Sequence, residues 1–283
     1  MAEDETEQPV FETSTGPVRV ITAASLFDGH DAAINVMRRL IQSAGAEVIH
    51  LGHDRSAKDV VDCAIQEDAH AIALTSYQGG HVEYFTYIRQ LLDEAGCQHV
   101  RIFGGGGGTI TPPEIRDLHQ AGISKIYSPD DGRKMGLMGM IHHLMGQAAE
   151  VDLIGKERMN SLTGPVTAQD MAEVGLLLTL SESADEDTFK SMLEKCRSSD
   201  KDIPVIGFTG TGGAGKSSLL DELMLRIQRD NPGKKVCLLC VDPTRKRTGG
   251  ALLGDRIRMN SLSNNDLYMR SLASRGSGSE ISA

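Results

Sequence analysis

Apolar positions along residues 18–149 follow two alternating spacings, which predict a regular succession of strands and helices. Short continuous apolar runs indicate buried strands, and each is followed by a longer stretch in which apolar residues recur every three or four positions, as in an amphipathic helix. The predicted strands are 18–24, 47–51, 71–75, 100–103 and 124–127, and the predicted helices are 34–41, 57–67, 82–95, 113–121 and 133–149. Strands that alternate with helices in this way predict a doubly wound parallel sheet.

The pattern weakens after residue 150 and then changes to a second α/β pattern. Two helical segments, 168–180 and 185–196, are predicted within a linker, and a strand at 204–209 opens the second pattern. A helix at 218–229 and strand-like runs at 235–241 and 267–270 follow. These runs are too few to complete a sheet without a long unpaired edge, so we expect the second domain to continue beyond residue 283. The predicted domains are an acidic solvated tail at 1–17, a first α/β domain at 18–149, a helical linker at 150–200 and a second domain at 201–283.

Composition excludes several classes of protein. The formal charge of −10 argues against a nucleic-acid binder, which needs a basic face, and no apolar run is long enough to span a membrane. The amino terminus lacks the basic and apolar regions of a secretory signal, and the five cysteines are an odd number. We therefore predict a cytoplasmic protein with reduced thiols and with no nucleic-acid or membrane partner. Cys237 and Cys240 lie in one apolar strand and are predicted to be buried structural thiols rather than a metal or redox pair.

Residues 210–217 fit the phosphate-binding pattern G-x-x-x-x-G-K-[ST], with a predicted strand before them and a helix after them. Glycines let backbone N–H groups turn inward around phosphates, Lys216 neutralises phosphate charge, and the Ser217 hydroxyl ligates Mg²⁺. The predicted nucleotide contacts are Gly210, Gly212, Gly213, Ala214, Gly215, Lys216 and Ser217. Asp242, at the end of the next strand, is a candidate Mg²⁺ contact. For Asp255 and Arg258 a nucleotide contact and a solvated surface position are both open.

A second candidate site follows the first predicted strand, at Asp28-Gly29-His30. The carboxyl end of a parallel strand is where open α/β sheets hold ligands. Asp28 is placed to accept the proton of one ring nitrogen of His30, which would fix the tautomer of a metal-ligating histidine. A helix cap or a solvated turn is the alternative interpretation of the same residues.

Together these motifs resemble those of the fused isobutyryl-CoA mutases, in which a cobalamin-binding domain, a G-protein chaperone domain and an acyl-CoA mutase barrel share one polypeptide. The first domain resembles cobalamin-dependent mutases and methionine synthase, whose pattern is D-x-H-x-x-G, then S-x-L, then G-G. The resemblance implies a flavodoxin-like domain in which His30 ligates cobalt, Asp28 is its hydrogen-bond partner, and Ser76, Gly105 and Gly106 contact the nucleotide tail of the cofactor. The sequence departs from the pattern at Ala33, in place of the last glycine, and at Tyr77-Gln78, in place of x-L.

The second domain resembles the metallochaperone GTPases that gate cofactor loading, because Val241-Asp242-Pro243 is followed by the stretch TGGALLGDRIRM at 248–259. The resemblance implies an incomplete P-loop NTPase domain with Mg²⁺ contacts from Ser217, Asp242 and Asp255 and a phosphate contact from Arg258. A preference for GTP over ATP rests on the resemblance alone. The implied cofactors are adenosylcobalamin and Mg²⁺ with GTP. The implied partners are an acyl-CoA, bound by a barrel that this sequence lacks, a protein that delivers adenosylcobalamin, and a second copy in a homodimer.

The implied function is the cobalamin-binding and chaperone portion of an enzyme that isomerises isobutyryl-CoA to n-butyryl-CoA, with GTP hydrolysis gating cofactor loading. No catalytic residue of the isomerisation is assigned within this chain, and the chain alone is not expected to have mutase activity. The alternative is a cobalamin carrier or sensor coupled to a nucleotide switch, without turnover of its own. A flavodoxin-like domain that holds a different small ligand is the third interpretation. The codons that follow Ala283 would separate the first two.

Overall fold

The five strands predicted for the first domain form one parallel sheet, as their continuous apolar character predicts, since helices cover both faces of such a sheet. The computed structural model describes residues 11–199, 203–242, 244, 250–263 and 266–275. The strands are β1 Glu12–Thr13, β2 Gly16–Pro17, β3 Arg19–Ser25, β4 Glu47–Arg55, β5 Ala71–Thr75, β6 Arg101–Gly105, β7 Lys125–Tyr127, β8 Val236–Asp242, β9 Ala251–Leu253 and β10 Leu267–Ala273. The helices are α1 Asp31–Ser43, α2 Ala57–Gln66, α3 His81–Glu94, α4 Pro112–Gln120, α5 Pro129–Ala149, α6 Lys156–Ser161, α7 Met171–Ser183, α8 Glu186–Cys196 and α9 Lys216–Asp230.

The main sheet has six strands in the order β7-β6-β5-β3-β4-β9, all parallel. Its five predicted strands, taken in chain order, have the arrangement 2-1-3-4-5 of flavodoxin-like folds. The predicted fold class is confirmed. The chain connects β3 to β4 on one side of β3 and then continues with β5 on the other side. The order of strands thus reverses at β3, and a crevice for ligands opens at the carboxyl ends of β3 and β5.

Helices start where the sequence supplies a side-chain cap. Ser56, Thr111 and Ser128 each form a capping box with the acidic residue three positions later, which satisfies backbone N–H groups of the first turn of α2, α4 and α5. The apolar faces of α2 and α3 pack on one face of the sheet and those of α1 and α5 on the other. Helix α5 contains a break at Gly136, whose φ is 67°. The predicted helix at 133–149 therefore corresponds to the part of α5 around and after this break.

The second unit is smaller. Strands β8 and β10 form a two-stranded parallel sheet, and α9 packs on them through an apolar cluster that includes Met224, Leu238 and Met269. Strand β9 does not join this two-stranded sheet but extends the main sheet. It pairs with β4, with Ala251 opposite Glu47 and Leu253 opposite Ile49. The stretch that follows the phosphate loop in sequence is thereby attached to the edge of the first domain. No sequence pattern predicted this strand.

The prediction of a strand at 204–209 is wrong. These residues have no strand structure and are exposed, with Val205 94% and Ile206 74% accessible. A parallel strand requires a hydrogen-bonded neighbour, and in the described part of the chain β8 pairs with β10 only. An apolar run without a neighbouring strand does not hold a strand conformation on its own.

Two further expectations differ from the structure. Residues 11–17 are not a solvated tail, because β1 and β2 form a small hairpin in which Thr15 is buried; residues 1–10 of the predicted tail lie outside the described residues. Cys240 is buried as predicted, but Cys237 is exposed. Both differences follow from packing. The hairpin lies against the first domain at His70, whereas none of the described elements covers the side of β8 on which Cys237 lies. The predicted stretch 248–259 is described only from residue 250 onward.

Buried and half-buried charged side chains lie where the main sheet, α7 and β10 meet, at the amino ends of β3 and β4. We call them the basal ion-pair network. Its members are Arg19, Glu47, Glu67, Asp68, Arg158, Glu182, Arg256, Arg270 and Arg275. Arg19 and Glu47 are 2.9 Å apart with almost no exposed side-chain surface. Burial alone would raise the pKa of Glu47, but Arg19 and Arg275 lower that pKa to about 2. Glu47 therefore stays ionised near neutral pH.

None of the helices in the described part of the chain combines the length and the apolar character that crossing a bilayer requires.

Candidate functional site

The turn after β3 places His30 at the carboxyl edge of the sheet. Asp28, completely buried, organises this turn: its N–H donates to the Ser25 carbonyl at 3.0 Å, and its Oδ2 accepts from the Tyr77 N–H at 2.7 Å. Its Oδ1 accepts from the His30 N–H at 2.9 Å and lies 2.8 Å from His30 Nδ1. The His30 side chain is 63% exposed. A buried carboxylate thus holds an accessible imidazole in one orientation.

The charge of Asp28 decides the tautomer of His30. Burial raises the pKa of Asp28, but hydrogen bonds from the Tyr77 and His30 backbone and from the His30 ring outweigh it and lower that pKa. Because Asp28 is ionised, the hydrogen bond to Nδ1 places the ring proton on that nitrogen. Nε2 then carries the lone pair that a metal requires. The predicted pairing of Asp28 with His30 is present.

A cavity of about 460 Å³ lies beside this turn, between α1, α5 and the ends of β5 and β6. Its lining is mostly apolar and includes Ala33, Ile34, Met37, Ile41, Phe103, Gly104, Gly105, Gly106, Gly107, Tyr127, Met140 and Leu144. Gly105 and Gly106, two of the predicted tail contacts, line it. Ser76, the third, does not line it: this residue is buried, and its hydroxyl accepts a hydrogen bond from Ser25 Oγ at 2.9 Å.

Two glycines of this wall, Gly104 and Gly106, are required by the close approach of neighbouring atoms. A Cβ on Gly106 would lie 1.9 Å from the Ser76 carbonyl oxygen, and one on Gly104 would lie 2.4 Å from Cζ of Phe85. Side chains at these positions would displace the loops that form the cavity. Ala33 faces the cavity with a single methyl group, so the departure from glycine at this position leaves the cavity open.

These features fit cobalamin. One oriented imidazole nitrogen at the sheet edge suits a metal that is otherwise held by its own macrocycle, so a protein cluster of several ligands is not needed. The described residues contain no group of three or more His, Cys, Asp or Glu side chains placed to hold a metal ion. The adjacent apolar cavity has the size of a small-molecule site.

The phosphate-binding motif adopts a loop followed by a helix. Gly213 and Gly215 have φ values of 78° and 85°, in the left-handed region, and α9 begins at Lys216. The Lys216 ammonium donates to the carbonyl oxygens of Gly210 at 2.5 Å and Thr211 at 3.1 Å. Residues 203–215 are exposed. The loop glycines, Ala214 and Lys216 therefore lie together at the amino end of a helix, where its dipole favours a phosphate.

Side-chain oxygens that could ligate a metal ion lie beside this loop, on three different parts of the chain. Ser217 Oγ donates to Asp255 Oδ1 at 3.0 Å, and Asp242 Oδ2 accepts from the Gly254 N–H at 3.3 Å. Burial and the nearby charge of Asp255 raise the pKa of Asp242 to about 6. A hydroxyl and two carboxylates are suitable ligands for Mg²⁺, whose charge would favour the ionised form of both acids. The Arg258 side chain is 70% exposed, and its Nη1 lies 3.7 Å from Asp255 Oδ1.

The structure brings the predicted residues together in two groups. Asp28, His30, Gly105 and Gly106 lie at one edge of the main sheet, and the residues of the phosphate loop lie with Asp242, Asp255 and Arg258. Sequence reasoning missed Asp54, which accepts a hydrogen bond from the Phe27 N–H at 2.7 Å, and the apolar cavity wall, including Phe103 and Met140. Apolar residues of a cavity wall have the same periodicity as core residues, so the sequence does not distinguish them. Asp54 belongs to no sequence motif.

Comparison with known proteins identifies both units. Residues 18–130 match the family described as "B12 binding domain", and residues 174–283 match "Methylmalonyl Co-A mutase-associated GTPase MeaB". The chain is 51% identical over 274 residues to the fused isobutyryl-CoA mutase of Geobacillus kaustophilus, covering 94% of this chain and 25% of that protein. It is also 51% identical over 279 residues to that of Nocardia farcinica, covering 98% of this chain and 25% of that protein. The 2-hydroxyisobutanoyl-CoA mutase small subunit of Aquincola tertiaricarbonis is 37% identical over 115 residues, which are 40% of this chain and 82% of that subunit.

The fold and the matches define a class of protein in which a B12-binding domain precedes a MeaB-type P-loop GTPase domain. The chain belongs to the fused isobutyryl-CoA mutase family. It spans about a quarter of the length of the fused mutases that it matches.

Proposed function

We propose that this chain forms the cofactor-handling part of an adenosylcobalamin-dependent acyl-CoA mutase of the isobutyryl-CoA type. His30 would ligate cobalt through Nε2, with Asp28 as its hydrogen-bond partner, and the glycine-lined cavity would take the nucleotide tail of the cofactor. The oriented imidazole beside that cavity is the observation that carries the proposal. When bound, adenosylcobalamin supplies radical chemistry, while the protein supplies ligation and orientation.

The second unit would bind Mg²⁺ with GTP and gate cofactor loading. Lys216 and the loop N–H groups would hold the phosphates, Ser217, Asp242 and Asp255 would hold Mg²⁺, and Arg258 would contact phosphate. The donor set beside the phosphate loop and the match to a GTPase family support this assignment. The acyl-CoA, a delivery protein for the cofactor and a second copy in a homodimer are the partners that we propose for the whole enzyme.

The similarity to a mutase small subunit supports a second candidate, a cobalamin carrier module without turnover of its own. In that case the two sites would have the same residues and the same ligands. The experiments below test the sites and therefore apply to both candidates.

Replacing His30 by alanine is expected to remove the imidazole-ligated form of bound cobalamin and to weaken binding by about 10-fold to 100-fold, as loss of metal-site contacts commonly does. The measurement is a titration followed by the visible absorption spectrum. His119, an exposed histidine of α4, provides the matched control His119→Ala, whose spectrum should equal that of the unmodified chain. An unchanged spectrum in His30→Ala would refute the cobalt-ligand assignment.

Replacing Lys216 by alanine is expected to weaken binding of GTP by about 10-fold to 100-fold, because a charge-assisted contact to phosphate contributes about 1.5–3 kcal/mol. Binding is measured with a fluorescent GTP analogue in the presence of Mg²⁺, with ATP as competitor to test the preference for guanine. Lys234→Ala removes an exposed lysine between α9 and β8 and should leave the affinity unchanged. Equal loss in both variants would mean that the effect is one of overall charge.

A further inference from the structure

The carboxyl end of β4, residues 52–55, lies between the cobalamin site and the nucleotide site. The pairing of β3 with β4 shifts register after Thr22 and again before Ser25, so that Ala23 pairs with Gly52 and Ser25 with Arg55. The extra residues of β4 are accommodated by two left-handed backbone conformations, with φ of 86° at Gly52 and 56° at Asp54. A left-handed aspartate is uncommon, and such positions gather at functional sites.

Asp54 connects this segment to the His30 turn. Its Oδ1 accepts from the N–H of Phe27 at 2.7 Å, and Phe27 itself is left-handed, with φ of 62°. Phe27 directly precedes Asp28, whose carboxylate orients His30. The conformation of Phe27 sets the direction in which the chain leaves β3. Asp54 therefore helps to determine where Asp28 and His30 lie.

Ile257 connects the same segment to the nucleotide site. It lies in the 3-10 turn Arg256–Arg258, next to the two residues with proposed nucleotide-site roles, Asp255 and Arg258. Its Cδ1 lies so close to Gly52 that a Cβ on that glycine would be 2.8 Å away. Only a residue without a side chain lets the turn approach β4 this closely.

The turn cannot move independently of the main sheet. On one side of it β9 pairs with β4, and within it the buried Arg256 donates to Gln66 Oε1 at 3.0 Å and to Glu67 Oε1 at 3.1 Å. The contact between Ile257 and Gly52 is therefore tied to both β4 and the end of α2.

We propose that residues 52–55 couple the two sites, with Ile257 as the contact on the nucleotide side and Asp54 as the positioning residue on the cobalamin side. Binding of Mg²⁺ with GTP changes the position of Asp255 and Ile257, and the end of β4 passes this change to Phe27 and the His30 turn. The inference rests on the proposed function, since it requires both ligands. Coupling of this kind is reciprocal, so cobalamin changes the affinity for nucleotide by the same factor.

The test uses the full 283-residue chain. The dissociation constant of adenosylcobalamin is measured by absorbance with and without Mg²⁺ and a non-hydrolysable GTP analogue, and the ratio of the two constants is the coupling factor. We expect a factor of at least about five, the lower end of typical allosteric coupling. In Ile257→Ala the coupling factor should fall to within about twofold of one, the value without coupling. The dissociation constant of each ligand, measured without the other, should change by less than about twofold.

Matched variants separate this route from a general loss of structure. Leu225, on α9 of the same unit, is 42% exposed against 40% for Ile257, and Leu225→Ala should keep the coupling factor. Asp54→Ala should reduce the coupling factor and the imidazole-ligated fraction in the absorption spectrum, whereas Asp54→Asn retains an acceptor oxygen and should restore both.

The outcomes are distinguishable. If the unmodified chain binds both ligands with a coupling factor of one, the inference fails while the proposed function stands. A coupling factor that survives Ile257→Ala and Asp54→Ala also overturns the route through β4. If the unmodified chain binds neither ligand, the proposed function fails and the inference fails with it.

Discussion

Replacing Glu67 by glutamine is expected to lower the free energy of unfolding by about 3–5 kcal/mol, the usual cost of breaking a buried ion pair by removing one partner. Glu67 is completely buried and lies 3.1 Å from Arg256 Nη2. It also accepts hydrogen bonds from the N–H and hydroxyl groups of Ser271 in β10, at 3.0 Å and 2.8 Å. Glutamine leaves the Arg256 guanidinium group without its counter-charge, and it replaces one of the two oxygens that accept from Ser271 by an amide N–H donor.

The change is measured by urea unfolding followed by circular dichroism at neutral pH. Glu222→Gln is the matched control, because Glu222 pairs with Arg226 on the exposed face of α9 and both side chains are more than half exposed. An exposed pair at this spacing contributes about 0.3–0.5 kcal/mol. Similar losses in the two variants would show that the basal ion-pair network contributes no more than a surface pair.

This network also explains why the two units stay together. Glu67 ends α2 of the first domain, while Ser271 and Arg256 belong to the second unit, so the same carboxylate holds β10 and the turn that carries Ile257. Glu182 of α7 binds Arg270 and Arg275 from the same side. The nucleotide unit is therefore attached to the first domain by buried ion pairs as well as by the pairing of β9 with β4, and these ion pairs lie at the edge opposite the cobalamin site.

Local patterns predicted the first domain well because its strands are buried on both faces. The strand predicted at 71–75 has the bounds of β5, and the helix predicted at 82–95 differs from α3 by one residue at each end. Each of these segments carries its own apolar pattern. The information is local, so a single sequence contains it.

Pairings between distant segments could not be predicted in this way. Strand β9 has three residues within a glycine-rich stretch, and only its pairing with β4, about two hundred residues earlier, makes it a strand. Residues 204–209 show the reverse case, an apolar run of strand type that lacks a neighbouring strand in the described part of the chain. Glu67 and Arg19 are of residue types that usually lie on the solvated surface, and only their partners from distant parts of the chain explain their burial.

The residues of the candidate site also fall into a group that the sequence predicts and a group that it does not. Asp28, His30 and the phosphate loop were predicted because the chemistry requires particular residue types at a fixed short spacing. Asp54 and Ile257 act through contacts with a turn and with a glycine on other elements, and neither residue type is specific for such a role. The residues proposed to bind ligands are thus visible in the sequence, whereas those proposed to connect the sites are visible only in the structure.

Replacing Gly106 by alanine is expected to weaken cobalamin binding at least tenfold and to lower the free energy of unfolding by about 1–3 kcal/mol, as overpacking does. The new Cβ would lie 1.9 Å from the Ser76 carbonyl oxygen. That oxygen cannot retreat freely, because the Ser76 N–H donates to Gly105 at 2.9 Å and its hydroxyl is held by Ser25. The loops after β5 and β6 must therefore separate, which changes the wall of the cavity.

The same glycine run supplies the control for this variant. An alanine at Gly108 would meet no atom within 4 Å, so Gly108→Ala should retain cobalamin affinity and stability. Cobalamin titration and thermal unfolding of both variants distinguish the steric effect from a general requirement for glycine in residues 104–108. If both alanines weaken binding equally, the loop needs flexibility rather than close approach. If only Gly106→Ala does so, the cavity wall depends on the contact between the two loops, and the run of glycines marks the place where a ligand and two backbone segments come together.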